Sequence, residues 1–268
     1  MRVVIVGASG RMGLAITRAA IEMGDVMFVG AIDREGAAAV GRDLGELAGL
    51  PAIGTRVTTD LAVVLGDADV VIDFSAASAT LGNLAACANA GVPIVIGTTG
   101  LDADAHSAAA VAAQHIPVLI AANTSLGVTL LLELVRQAAR SLPTDFDIEI
   151  VEAHHRHKQD APSGTALALG RVASEGRGVP FRAQDVRHHA DGGARPTGEI
   201  GYAVVRGGDV VGDHTVAFLG AGERVLLSHQ ATDRAIFARG ALRAAKFLCE
   251  QTPGRYEMGD VINLKTRT

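Results

Sequence analysis

Val3-Val4-Ile5-Val6-Gly7-Ala8-Ser9-Gly10-Arg11-Met12-Gly13 opens the chain and decides its fold class. The continuously apolar run reads as a short strand buried on both faces. It leads straight into a glycine turn and a helical pattern through Leu14, Ile16, Ala19 and Ala20. A second strand is expected over 26–32, ending at Asp33-Arg34. Strand, glycine turn, helix, strand and acid, in that order, describe a dinucleotide-binding unit. Gly7 permits the tight turn, Gly10 lets backbone approach a pyrophosphate, and Gly13 lets helix pack on strand. The helix N-terminus then offers N–H groups and a partial positive charge to phosphate.

The glycine spacing is GxxGxxG rather than GxGxxG, so the flanking elements carry the reading as much as the glycines do. Asp33 can accept from an adenosine ribose hydroxyl, the feature of NAD sites. Arg34 and Arg11 can instead neutralise a 2′-phosphate, the feature of NADP sites. Both cofactors stay open, and Arg34 also fits an ordinary solvated loop charge.

The alternation continues with a strand over 69–75, a helix over 78–90 and a strand over 92–96 that ends at Gly97-Thr98-Thr99-Gly100. A helix over 102–114 follows, then a strand over 116–121 that ends at Ala122-Asn123-Thr124-Ser125. Ligands of open parallel sheets bind beyond the carboxyl ends of the strands. Gly97, Thr98, Thr99 and Asn123 fall there and suit a nicotinamide ribose or amide; ordinary turn chemistry explains the same residues.

At 268 residues the chain is long enough for one large domain or two modest ones. With 49% hydrophobic and 20% charged residues it is a globular protein rather than a disordered one. The 24 basic against 29 acidic side chains argue against a nucleic-acid coat. Cys87 and Cys249 lie far apart in helix-like apolar patterns and read as buried, reduced thiols. No apolar run reaches membrane-spanning length, Leu130-Leu131-Leu132 being broken by Glu133, and the first residues enter a strand without a leader pattern. A cytoplasmic protein without a membrane partner is therefore expected.

A long helix over 126–140, stopped by Ser141-Leu142-Pro143, reads as a passage between domains. The apolar alternation 147–151 then runs into Glu152-Ala153-His154-His155-Arg156-His157-Lys158-Gln159-Asp160-Ala161-Pro162-Ser163-Gly164-Thr165. Three chemistries fit this stretch. Zinc is one, although no Cys is near, no HExxH helix is present, and adjacent histidines on a strand point to opposite faces. A surface basic cluster is another. The third is an acid/base and anion-binding site, since His can donate a proton near neutral pH and Lys158 adds charge. Ser163 can cap the next helix, and the amides of Gly164 and Thr165 can hold a carboxylate. Beyond it come a polar loop over 187–196 containing His188 and His189, then strands over 198–206, 210–219 and 223–232 in a mixed or antiparallel sheet with one exposed face. A last helix begins at Asp233-Arg234.

The stretch 152–166, together with 7–13, 71–75, 97–100, 121–127 and Gly207-Gly208-Asp209-Val210-Val211-Gly212, resembles the 4-hydroxy-tetrahydrodipicolinate reductase (dihydrodipicolinate reductase) family over nearly the whole chain. The resemblance implies a Rossmann-like α/β nucleotide domain, 1–125 completed by 234–268. It also implies a central α+β domain, 126–233, whose open mixed sheet binds substrate and forms a homotetramer. It implies hydride transfer from NADH or NADPH to a cyclic imine dicarboxylate in the diaminopimelate/lysine pathway, with no metal. His154 resembles the general acid/base and Lys158 the proton donor. His155, Ser163, Gly164 and Thr165 resemble the substrate-binding groups. Gly7, Ala8, Ser9, Gly10, Arg11, Met12, Asp33, Arg34, Gly97, Thr98, Thr99, Ala121, Ala122, Asn123 and Thr124 match nucleotide-contacting positions. Asp33 stands where many relatives carry Glu, and Thr124 where some carry an aromatic.

Two rival readings remain beside it. A dehydrogenase acting on an aldehyde would want a nucleophilic cysteine at a strand end, where neither Cys87 nor Cys249 lies. A nucleotide-sensing regulator would leave the His/Lys cluster without a use.

Overall fold

The computed structural model describes residues 1–181, 194–195 and 198–264, and the chain divides into two units. The first is Met1–Leu126 together with the segment from Ala235 onward; the second is Gly127–Arg234. The first unit begins β1 (Arg2–Val6), α1 (Arg11–Met23), β2 (Met27–Ile32), α2 (Leu44–Leu47), β3 (Val57–Thr58) and β4 (Val70–Asp73). It continues α3 (Thr80–Ala90), β5 (Ile94–Ile96), α4 (Ala103–Ala112) and β6 (Pro117–Ile120). β1 pairs in parallel with β2 on one side and β4 on the other. Its run of apolar residues serves two cores at once. Val3 and Ile5 join one cluster with Ile72 and Leu119, while Val4 and Val6 join another with Val71 and Ile94. Each such side chain, taken wholly out of water, contributes roughly 1.5–3 kcal/mol.

The second unit holds α5 (Leu126–Ser141), β7 (Asp147–His154), α6 (Gly164–Arg177), β8 (Ile200–Arg206), β9 (Gly212–Gly220) and β10 (Glu223–Ala231). Its four strands lie in the order β10-β9-β7-β8. One face packs Ile148, Ile150, Val216 and Phe218 against Leu131 and Val135 of α5 and Leu169 of α6. The other face leaves Val151, Val205 and Leu226 exposed.

The chain then returns to the first unit through α7 (Ala235–Leu248), β11 (Gly254–Tyr256) and α8 (Met258–Val261). Ala238, Ala241, Leu242, Ala245 and Leu248 of α7 enter the first core. β11 pairs with β6 and completes a parallel sheet ordered β11-β6-β5-β4-β1-β2-β3.

Several expectations change. β7 carries the alternation of 147–151 on through His154, so the period of two takes Glu152 and His154 to the buried side after Ile148 and Ile150. Of the strands 198–206, 210–219 and 223–232, the last two pair as an antiparallel hairpin, as expected, but the first does not join them: β8 is parallel to β7, and β7 separates it from β9. Cys87 is buried as read, but Cys249, on the last turn of chain after α7, is exposed. The loop read over 187–196, with His188 and His189, lies outside the described residues except for Ala194 and Arg195. Among the described residues, no helix is long and apolar enough to cross a membrane.

Candidate active site

The glycine turn after β1 is shaped by backbone crowding. Gly7 has φ 78°, and a Cβ placed on Gly13 would sit 2.4 Å from the Gly7 carbonyl oxygen. Only glycine lets α1 start so close to the strand that feeds it. Gly10 precedes the helix with no side-chain cap, and the first turn carries no acid. Gly10 and Arg11 therefore lie exposed at the positive end of a 13-residue helix, with Ser9 half-buried against Asp33 and Met12 packed on the first core. Ala8 is buried beneath them.

Asp33 follows β2 and is tied to that turn. Its Oδ2 accepts from the Ser9 amide at 2.9 Å and the Ser9 hydroxyl at 2.5 Å, and its Oδ1 from the Arg34 amide at 2.9 Å. Partial burial works to raise this carboxyl, but the Ser9 and Arg34 hydrogen bonds outweigh it and hold the group below the usual carboxylate range. Three bonds leave acceptor capacity on Oδ1, so an anionic acceptor stands beside an exposed arginine, Arg34.

The ends of β5 and β6 bring further residues to the same edge of the sheet. Gly97 bonds through its amide to Asp73, and the Thr98 hydroxyl donates to the Ser75 carbonyl at 3.3 Å. Thr99 is exposed, Ala121 is buried and bonded to Ile96, and Ala122 is exposed. Asn123 accepts from the Ser125 amide at 2.9 Å. Thr124 differs from these: it is buried, and its hydroxyl donates to the Phe237 carbonyl of α7 at 2.7 Å, so the side chain serves the core.

In the second unit the organising group is Glu152, whose side chain is wholly buried. Its Oε2 accepts from Arg206 Nη1 at 2.8 Å and lies 2.5 Å from His154 Nδ1. Its Oε1 accepts from Arg206 Nη2 at 2.8 Å and from the Ser163 amide at 3.0 Å. Burial alone would raise this carboxyl; Arg206, His154 and the Ser163 amide outweigh it and lower it. Arg206 also donates to the Asp160 carbonyl, which pins the loop between β7 and α6.

Ser163 caps α6, its hydroxyl accepting from the Ala166 amide at 3.1 Å. The same hydroxyl lies 2.9 Å from Nε2 of His214, a buried residue of β9 whose ring meets that of His154 edge to face. Burial, then the neighbouring His154, push the His214 imidazole down to about 4. Gly164 and Thr165 head the helix. His155 is half-buried, and burial and the Arg234 guanidinium lower its pKa. Lys158 reaches Asp160 at 2.9 Å, an ion pair exposed enough to part at little cost.

The structure thus gathers Gly7 to Met12, Asp33 and Arg34 around one turn, and brings His154 and the Ser163 amide onto the Glu152 carboxylate, while Lys158 pairs with Asp160 and Gly164 and Thr165 follow Ser163 on α6. Among the described residues, no three His, Cys, Asp or Glu side chains converge as metal ligands. Glu152, Arg206, His214 and the buried Asp73 were not singled out from the sequence. For Glu152 a signal existed: an acid two positions after Ile150, in the inward register of an apolar strand. Arg206 and His214 lie 54 and 51 residues from their partners and had none.

Comparison with known proteins agrees across both units. Residues 1–124 match the family described as "Dihydrodipicolinate reductase, N-terminus", and residues 127–262 match "Dihydrodipicolinate reductase, C-terminus". The chain is 51% identical over 265 residues to the 4-hydroxy-tetrahydrodipicolinate reductase of Ruegeria pomeroyi, with 98% of each chain covered. It is 50% identical over 265 residues to the protein of that name from Anaeromyxobacter dehalogenans, again with 98% of each covered. Among solved structures it resembles a dipicolinate-bound dihydrodipicolinate reductase from Paenisporosarcina sp. TG-14, with 25% identity, TM-score 0.77, and 96% and 97% of the chains covered. A probable dehydrogenase from Thermotoga maritima, 12% identical with TM-score 0.62 over 97% of this chain and 92% of that one, shares the fold. On the family matches and the full-length identity, the chain belongs to the dihydrodipicolinate reductase family.

Proposed function

We propose that the protein reduces 4-hydroxy-tetrahydrodipicolinate, a cyclic imine bearing two carboxylates, to tetrahydrodipicolinate and water with NADH or NADPH. The observation that carries the reading is the Glu152-held imidazole of His154 beside the Ser163-capped start of α6. It sets a proton donor next to an anion-binding helix end. That the solved relative from Paenisporosarcina is described as bound to dipicolinate, a ring diacid, supports the substrate class.

The first unit fits a dinucleotide: the Gly7–Gly13 turn is a cradle that a Cβ would fill, and Asp33 keeps acceptor capacity for a ribose hydroxyl. Gly7, Ala8, Ser9, Gly10, Arg11 and Met12 would hold the pyrophosphate, and Asp33 and Arg34 the adenosine ribose or its phosphate. Gly97, Thr98, Thr99, Ala121, Ala122, Asn123 and Thr124 would lie along the nicotinamide side, Thr124 through its backbone. A reduced nicotinamide bound there supplies the hydride.

The second unit handles charge. His155, Ser163, Gly164 and Thr165 hold the carboxylates, and Lys158 adds a cation once it parts from Asp160. Negative charge that develops in the ring is quenched by a proton through His154 or Lys158. Fixed geometry at these groups supplies much of the rate. The exposed sheet face carrying Val151, Val205 and Leu226 is the surface through which a homotetramer would form.

The test is loss of reduced-nicotinamide absorbance with freshly generated substrate, for the wild type and Lys158→Ala. Turnover in the wild type and its collapse in the variant, with cofactor binding retained, is the expected result. No oxidation of either cofactor by the wild type would refute the activity.

A further inference from the structure

Neutral histidine has two tautomers, and which nitrogen works is set by what the other one touches. Nδ1 of His154 lies 2.5 Å from Glu152 Oε2. The carboxylate also receives two guanidinium N–H groups from Arg206 and the Ser163 amide, so four donors surround it. An ionised carboxylate can only accept. The hydrogen in the shortest of these contacts therefore sits on Nδ1; a bare Nδ1 would set lone pair against anion.

The other nitrogen is left to the substrate side, and a second residue bears on it. A Cβ built on Gly212, at the start of β9, would lie 3.0 Å from His154 Nε2 and 3.4 Å from Cδ2. Gly212 is not among the positive-φ glycines, so its backbone does not demand glycine. What the position uses is the empty space over Nε2.

From these contacts we infer that Glu152 is a positioning residue for His154: it locks the Nδ1–H tautomer so that Nε2 is the nitrogen that delivers the proton, and Gly212 keeps that nitrogen uncovered. The inference deepens the activity proposed above and rests on it. In the step, the 4-hydroxyl and a neighbouring ring hydrogen leave as water, which makes the ring conjugated. The hydride from the reduced nicotinamide then adds to it and leaves an electron pair on it. The Nε2–H bond of the imidazolium breaks, and its proton bonds to the ring. The imidazole is left neutral, with Nδ1–H still on Glu152, and solvent returns a proton to Nε2. Glu152 stays ionised throughout because Arg206 balances its charge. The same carboxylate binds the Ser163 amide, so a single side chain sets both the proton donor and the head of the helix that holds the diacid.

The experiment combines nitrogen-15 NMR of histidine-labelled protein with steady-state turnover and with affinities for NADH and pyridine-2,6-dicarboxylate. In the wild type, neutral His154 should show a protonated Nδ1 and a bare Nε2. Glu152→Gln should mix the two tautomers and lower turnover about 10- to 100-fold, the scale for partners that orient an imidazole, with NADH affinity within about threefold. Gly212→Ala should lower turnover while leaving the tautomer as it was. A wild-type spectrum with Nε2 protonated in the neutral ring, or unchanged turnover in Glu152→Gln, would overturn the inference. Should Glu152→Gln fail to fold, Glu152→Gln with Arg206→Gln removes both charges of the pair, and the wild-type spectrum alone decides the tautomer. A wild type that binds NADH but turns over no substrate would instead sink the activity itself.

Discussion

In the parallel sheet, β1, β4 and β5 place apolar side chains on both faces. In the mixed sheet, β7 buries Ile148 and Ile150 and then, in the same register, Glu152 and His154. The first unit keeps its specific chemistry in the loops after the strands, where Ser9, Asp33 and Thr98 sit. The second builds it into a strand, with His214 of β9 beside it and Arg206 of β8 holding the carboxylate. The difference suits the ligand proposed for each. A dinucleotide is long and asks for backbone amides along an edge, whereas a small diacid asks for a few groups fixed at short range. Buried polar groups give that fixity when each has its partner, and are costly when one is lost.

Substitutions separate the two designs. The largest expected effect is His154→Ala, which should cut turnover by about 10²–10⁴-fold, the usual weight of a general acid, with NADH affinity unchanged by titration calorimetry. Loss of NADH binding in this variant would mean that the two units do not divide the work as described.

Next comes the pH response of the buried imidazole in the mixed sheet. His214 is held down to about 4 in the folded protein from an ordinary 6.5. Between those values the unfolded chain binds the extra proton. Stability is therefore full above pH 6.5 and falls as pH drops toward 4, by up to ~3 kcal/mol. His214→Phe should flatten this part of the melting-temperature profile; an unchanged slope would assign it elsewhere.

A smaller effect is expected in the glycine turn. Gly13→Ala would force a Cβ against the Gly7 and Ala8 carbonyls, at 2.4 and 2.6 Å, and such overpacking costs about 1–3 kcal/mol. Its signature is weaker NADH binding with pyridine-2,6-dicarboxylate binding retained. The smallest change in the fold itself is Leu226→Ser on the exposed face. For an isolated chain it should move stability by less than about 0.5 kcal/mol, so any fall in mass by light scattering would report a broken assembly.

The parallel sheet was legible in the sequence because its strands are continuous apolar runs that end in glycine or small polar residues. α1, α3 and α4 likewise follow from their spacing and from Gly24, Gly91 and Asp102 at their ends. β3 and β11, of two and three residues, are too short to show any period. The parallel pairing of β7 with β8 follows from the crossover helix α6 between them, whereas the pairing of β7 with β9, which passes over β8, is one that adjacency in sequence argues against. In the candidate site, the density of His and cations between residues 154 and 158 marked the place. The hidden part was which way β7 faces: the apolar alternation marks only 147–151, and one further turn of the pleat makes Glu152 the buried centre. Arg206 could not be paired with it from spacing alone.

The first unit's sheet is finished by β11, and its core by α7, which leave the ribosome after the whole second unit has been made. The nucleotide-binding half, begun first, is thus completed last, and the inserted half can fold while its host still waits for an edge strand. Nascent chains stalled before Ala235 should be cut readily by protease within residues 1–126 and resist within 127–181 and 198–234. Equal resistance in both would show that the early segment stands without its closing pieces.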